Sequence, residues 1–210
     1  VIMTTSEHRH TDQTAAADPD VRQKPCPNCH ETRSRQIYSV DRIPAHSVLL
    51  MPNLETATKY PRGDMRLLFC EACGFLSNSA FDVTLNEYSP DYEETQHFSP
   101  RFNQFADELV ADLVDRFGMR NKRVLEIGCG KAEFLSRLCE AGDNFGIGVD
   151  PAIRPERFSS EARAKMQLIP ELYSEEHSDL QADVILCRHT LEHIQPTRDF
   201  LDIVRRSIGD

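Results

Sequence analysis

Three groups of residues have the types and spacing to do chemistry. Cys26/Cys29 and Cys70/Cys73 form two C-x-x-C pairs, CPNC and CEACG, with forty residues between them. In a reducing compartment such pairs bind metal or do redox work. Each pair makes a tight knuckle that presents two thiolates to one ion, and Gly74 supplies a backbone free to turn. Two knuckles complete a tetrahedral four-cysteine zinc site, and four protein ligands leave no open position, so the expected zinc is structural and not catalytic. The second group is Glu126, Gly128, Cys129, Gly130 and Asp150. The third is the run Arg188-His189-Thr190-Leu191-Glu192-His193.

The second group lies in RVLEIGCGKAEFLSRLCEAGDNFGIGVD, Arg123 to Asp150. Val124, Leu125 and Ile127 predict a short strand that stops at Gly128-Cys129-Gly130. Phe134, Leu135, Leu138 and Cys139 predict a helix until Gly142, and Phe145 to Val149 a second strand ending in Asp150. That order is the first βαβ half of a doubly wound nucleotide-binding sheet, with its ligand outside the carboxyl ends of the strands. A dinucleotide site needs G-x-G-x-x-G/A, so that the pyrophosphate can approach bare backbone; here the last position is Glu133. The glycines fit G-x-G-x-G instead, with Ala132 in third place. A carboxylate at Glu126 would repel a pyrophosphate but suits a ligand carrying an ammonium group. Asp150 is placed to accept hydrogen bonds from two ribose hydroxyls.

LEIGCGKAEFL followed by GIGVDPA resembles motif I and the acidic tip of the second strand in class I S-adenosylmethionine (SAM) dependent methyltransferases, with Ala132 a mild departure from the usual third glycine. The resemblance implies an α/β fold with a Rossmann-like sheet, and a SAM site made by Glu126, Gly128, Cys129, Gly130 and Asp150.

The third group follows a predicted fourth strand, Val184 to Cys187. HTLEH also fits H-x-x-E-H, a zinc-peptidase signature, but that use needs both imidazoles on one face of a continuing helix, and Pro196 leaves room for barely one turn. In a doubly wound sheet the tip of this strand lies beside the glycine turn, so Arg188 to His193 should border the ligand. The segment resembles the LEHI motif at the corresponding place in many class I methyltransferases. The resemblance implies that a His or Glu here acts on the substrate or that the pair is only structural; by position Arg188 falls beside the cofactor, and as a base His193 is preferred, with Glu192 holding its ring or acting itself and His189 third.

These groups need elements to hold them. Val1 to Gln23 is polar, without hydrophobic period, and reads as a disordered tail. Residues 24–81 read as a small β-rich zinc-binding module, with apolar runs Ser47 to Met51 and Met65 to Phe69 among turn residues. Residues 82–121 form a crossing rich in Tyr and acids, then an amphipathic helix. Ser99 caps that helix, Pro100 opens it, Phe102, Phe105, Ala106, Leu109, Val110, Leu113, Val114 and Phe117 hold helical spacing, and Gly118 ends it. Tyr88, Tyr92 and His97 could reach the ligand pocket, although surface loop positions are the plainer reading. Residues 122–210 carry the sheet, with Gln167 to Ile169 as third strand and a last helix from Thr197 to Ser207; a helix within Pro151 to Lys165 is unsettled. Cys129, Cys139 and Cys187 read as small buried hydrophobes.

With 210 residues, 40% hydrophobic and 28% charged, the chain can bury one large core or two small ones. A formal net charge of −10 argues against an open nucleic-acid surface. No apolar run approaches a membrane span and the N-terminus has no apolar signal centre, so a cytoplasmic protein is expected, without nucleic acid or membrane as partner.

A four-cysteine module, then YSPDYEETQHFSPRF, then the SAM motif and RHTLEHI also resembles the bacterial sugar C-methyltransferases. The resemblance implies a small-molecule acceptor, a nucleotide-linked sugar methylated on carbon next to a keto group, and a second C-terminal α/β domain. Class I methyltransferases continue past the fourth strand with further strands, and an apolar strand such as Val184 to Cys187 is seldom left as an open edge. The 210 residues are therefore expected to hold an incomplete sheet, the N-terminal portion of a longer protein. Transfer to O or N, and a zinc-ribbon interaction protein with a non-catalytic methyltransferase fold, are the competing expectations.

Overall fold

A computed structural model describes residues 24–46, 49–85, 96–154, 158–159 and 164–208. The expected tail, with Tyr88, Tyr92 and much of the crossing, lies outside them, as does part of Pro151 to Lys165. The chain divides into two compact units, residues 1–43 with 63–82, and residues 44–62 with 83–210.

The first unit is a three-stranded sheet in the order β1-β2-β3, with β1 at Ser34–Pro44, β2 at Arg62–Cys70 and β3 at Leu76–Asn78. β2 and β3 run antiparallel, pairing Leu68 with Ser77 and Phe69 with Leu76, so the second cysteine knuckle is the turn between them. Among the described residues of this unit the buried apolar side chains are Cys26, Leu68 and Cys70, while Ile37 and Tyr38 stay exposed. So small a core does not hold a domain together unaided.

The segment 44–62 contains α1, Leu54–Lys59, which the sequence reading did not anticipate. Asn53 caps it by accepting from the Thr56 N–H at 2.9 Å, Glu55 pairs with Lys59, and no residue of the helix is buried.

The rest of the second unit is a parallel four-stranded sheet. β4 is Arg123–Ile127, β5 Phe145–Val149, β6 Met166–Ile169 and β7 Val184–Cys187. Their order, β6-β5-β4-β7, with every neighbouring pair parallel, is the start of a doubly wound sheet that reverses direction between β4 and β7. β6 begins one residue earlier than expected, and β7 takes the outer position among the described strands. Along β4 the side chains alternate: Val124 packs into one cluster with α2 (Pro100–Asp115) and α3 (Glu133–Gly142), while Leu125 and Ile127 join the other with Phe200 of α4 (Thr197–Ser207). Glu126 shares the face of Val124 by the period of two.

Ser99 Oγ accepts from the Phe102 N–H at 3.3 Å, as its expected capping role requires. Ala106, Val110 and Val114 form the buried stripe of α2. Phe105 and Phe117, expected on that stripe, are exposed. Phe105 lies about a quarter-turn off the stripe, and Phe117 comes after the helix has ended. Gly146 lets α3 lie close on β5, because a Cβ there would stand 2.7 Å from Cys139 Sγ, and Gly148 lets the glycine turn do the same, because a Cβ there would stand 2.9 Å from Cys129 Sγ. Cys139 is buried as expected, while Cys129 and Cys187 are partly buried. Among the described residues, no helix is long and apolar enough to cross a membrane.

Candidate functional site

The four cysteines of the first unit converge. All four Sγ atoms lie within 4.8 Å of one another, with Cys26 and Cys73 3.7 Å apart and Cys29 and Cys70 3.5 Å apart. The two knuckles repeat one backbone pattern. The N–H of His30 donates to Cys26 O and that of Gly74 to Cys70 O, both at 2.9 Å; Cys26 N–H donates to Glu31 O and Cys70 N–H to Phe75 O. The residue after each pair is left-handed, His30 at φ 62 and Gly74 at φ 76, so the first knuckle accepts a conformation in histidine that the second gives to glycine.

The thiols share charge unequally. The Phe75 backbone N–H pulls Cys73 down to about 6. At Cys29 the Glu31 N–H favours the thiolate, but desolvation and the three neighbouring sulfurs outweigh it and push the group up to about 12. Four sulfurs this close cannot all ionise without a cation among them, and four sulfur donors in such a cluster suit zinc or a comparable soft ion.

In the second unit the glycine turn runs along the carboxyl ends of β4 and β7. Gly128 has φ 69, and a Cβ there would stand 2.0 Å from Thr190 Oγ1. The turn therefore lies flat against the β7 tip and only glycine fits. Thr190 Oγ1 donates to Arg188 O at 3.0 Å. Ala132, in the third glycine position, is left-handed at φ 54 and fully buried. Its strain of about 1–2 kcal/mol is only partly offset by about 0.8 kcal/mol from burying the methyl. Asp150 closes the turn from the next strand: one carboxylate oxygen accepts from Gly130 N–H at 2.9 Å and the other from Ala152 N–H at 2.7 Å.

Glu126 is 3% exposed, and its Oε2 is buried without a hydrogen-bond partner. Burial pushes its carboxyl up to about 7; the Arg188 charge and the Leu135 backbone N–H, in the first turn of α3, oppose the rise, and Asp150 adds to it. Arg188 Nη1 stands 3.5 Å from Glu126 Oε1, and its guanidinium lies 3.6 Å from the centre of the Phe134 ring. Burial lowers the Arg188 pKa and Glu126 opposes that. Cys129, Cys139 and Cys187 also feel the Glu126 carboxylate, and burial raises all three thiols. An unpartnered carboxylate oxygen beside a bare-backbone turn fits a ligand with an ammonium group, so the residues expected to hold SAM suit it.

Beyond Arg188 the chain bends through His189 at φ 53 into a single 3-10 turn, Leu191–His193, and Ile194 is already extended. The two imidazoles thus do not sit on one helical face, as the zinc-peptidase pattern would demand. His189, Glu192 and His193 are exposed at this tip. The structure brings Glu126, Gly128, Gly130, Asp150 and Arg188 together around the turn.

Residues the sequence reading did not assign also shape this end of the sheet. Thr190 packs on Gly128 and Phe134 stacks under Arg188; neither carries a signal in isolation, because each contact depends on the β4–β7 register. His97 reaches the first turn of α3, its Nε2 2.9 Å from Glu133 Oε2 and its Nδ1 2.8 Å from Asn103 Oδ1. With Lys131, Arg137 and Phe158 it lines a cleft of about 340 Å³.

A family described as a methyltransferase domain matches residues 102–210, more than half of the chain. No curated protein matches it.

Proposed function

The chain belongs to the methyltransferase-domain family, whose members use SAM, and on that premise we propose that it methylates carbon next to a keto group in a nucleotide-linked sugar or similar small metabolite of the cytoplasm. The observation that carries the site assignment is the buried, unpartnered Glu126 Oε2 beside the glycine turn. Glu126, Gly128, Cys129, Gly130, Asp150 and Arg188 hold the cofactor. Bound there, it supplies an electrophilic methyl group and leaves as a neutral thioether. The four cysteines hold a structural zinc that replaces the core the first unit lacks.

A C–H beside a carbonyl is poorly acidic, so a base must come within about 3 Å of it while a donor steadies the enolate. His193 takes that proton, because an imidazole nitrogen can accept one and its side chain is exposed at the β7 tip. Glu192 orients the ring, and His189 is the third candidate. The choice of a sugar carbon is supported by the order of modules: cysteine knuckles, tyrosine-rich crossing, glycine turn and RHTLEHI.

With a nucleotide-linked keto-sugar in deuterated water and no SAM, the wild type should exchange the proton next to the carbonyl. His193→Ala should abolish exchange and lower turnover by about 10²–10⁴-fold, with SAM affinity nearly intact. Exchange that survives in His193→Ala but stops in Glu192→Gln would move the base to Glu192. A wild type that binds the keto-sugar and never exchanges the proton would move the reaction to O or N transfer.

A further inference from the structure

Glu126 and Arg188 face one another at the switch point of the sheet, the first 4% and the second 20% exposed in its side chain. Their closest atoms are 3.5 Å apart, longer than the roughly 2.7–2.9 Å of a tight charge-assisted bond. A guanidinium present only to neutralise Glu126 would engage both carboxylate oxygens with its fork. Here Oε2 is left unpartnered, while Phe134 fixes the guanidinium plane from one face. Among the described residues Glu126 is the one polar partner of the Arg188 guanidinium, so most of its N–H donors have no acceptor among those residues. A buried anion and a half-buried cation side by side, each with capacity to spare, match a ligand end that carries an ammonium and a carboxylate on one carbon.

We propose that Arg188 receives the α-carboxylate of SAM while Glu126 receives its α-ammonium, so that the pair recognises the zwitterionic amino-acid end of the cofactor. This rests on the methyltransferase reading above and adds to it a residue that determines cofactor specificity. Arg188 then has two roles at one place: it steadies the Glu126 carboxylate before the cofactor arrives and shares it with the ammonium afterwards.

The test is calorimetry on the whole chain with two probes, SAM and decarboxylated SAM, which keeps the ammonium and sulfonium and lacks only the carboxylate. Titrations at pH 8.5 keep Glu126 mostly ionised. The wild type should prefer SAM by roughly ten- to a hundredfold, as expected for one charge-assisted contact. Arg188→Met should bring that ratio close to one, and Arg188→Lys should retain part of it. The ratio is the readout because any effect of the substitution on the Glu126 charge weakens both probes alike and cancels. A ratio unchanged in Arg188→Met, with SAM still bound, would overturn the role of Arg188 and leave the cofactor site standing. Failure of the folded wild type to bind either probe would overturn the cofactor site itself. If Arg188→Met does not fold, Arg188→Lys and Arg188→Gln carry the comparison, and an undiminished ratio in Arg188→Gln has the same overturning force.

Discussion

Replacing Glu126 by Gln should make the protein more stable above neutral pH while removing its hold on the cofactor. Burial pushes the Glu126 carboxyl from its ordinary 4.5 up to about 7, even with Arg188 beside it. The folded state therefore keeps the proton through a range in which the unfolded chain has released it. Stability from this group is fully present below about pH 4.5, falls as pH rises, and is gone above about pH 7. Over that window the loss is about 3 kcal/mol. Gln stands in for the neutral carboxyl and does not titrate. Urea unfolding of both proteins between pH 4.5 and 8.5 should give equal stabilities at the acid end, then a difference that grows in favour of Glu126→Gln and levels off at about 2–4 kcal/mol above pH 7. Taking the difference at each pH cancels the other titrating groups, the cysteine cluster included. A difference that stays flat with pH would refute the reasoning, because it would mean that Glu126 ionises as readily in the folded protein as in the unfolded one. In the wild type saturating SAM should recover part of the lost stability at pH 8, since an ammonium partner favours the ionised carboxylate, and in Glu126→Gln that recovery should be small.

The purified protein should carry about one zinc per chain, and Cys73→Ser should release it and unfold the first unit while the parallel sheet remains, as read by metal analysis and hydrogen exchange; a metal-free first unit that stays folded would contradict this. Gly128→Ala should cost more than ~2 kcal/mol by urea unfolding, because the new Cβ meets Thr190 Oγ1 at 2.0 Å and the backbone stands at φ 69. Thr190→Ala in the same chain should return only part of that loss, since the Thr190 Cβ would still lie 2.8 Å away.

Local pattern carried much of this fold. Ser99-Pro100 marks the start of α2 because capping chemistry is read from neighbouring residues. Val184 to Cys187 is a strand and Thr197 to Ser207 a helix with the bounds expected. The cysteine pairs were legible because metal geometry restricts their spacing, and the glycine turn because its flanking acids have little purely structural use. The helix at Leu54–Lys59 was not legible: it has no buried face to leave a hydrophobic period, and only its cap and one i,i+4 pair betray it. The pairing of Arg188 with Glu126 and of Thr190 with Gly128 was beyond local pattern, since β4 and β7 are far apart in the chain and meet only through their register, Ile127 opposite Cys187. The sequence reading put Asp150 on the ribose; the structure adds that its two oxygens already tie Gly130 and Ala152 together, a backbone role that residue type alone does not reveal.

Calorimetric titration of the folded chain with SAM, beside Asp150→Ala and Asp150→Asn, tests the central claim most directly. Asp150 joins the glycine turn to the β5 tip, and each charge-assisted hydrogen bond lost should cost ~1.5–3 kcal/mol. The wild type should bind one SAM per chain, Asp150→Ala should bind it roughly ten- to a few hundredfold more weakly, and Asp150→Asn, which keeps one oxygen acceptor, should fall between. A folded wild type that takes up no SAM, or an Asp150→Ala variant that binds it with unchanged affinity, would contradict the placement of the cofactor at this turn.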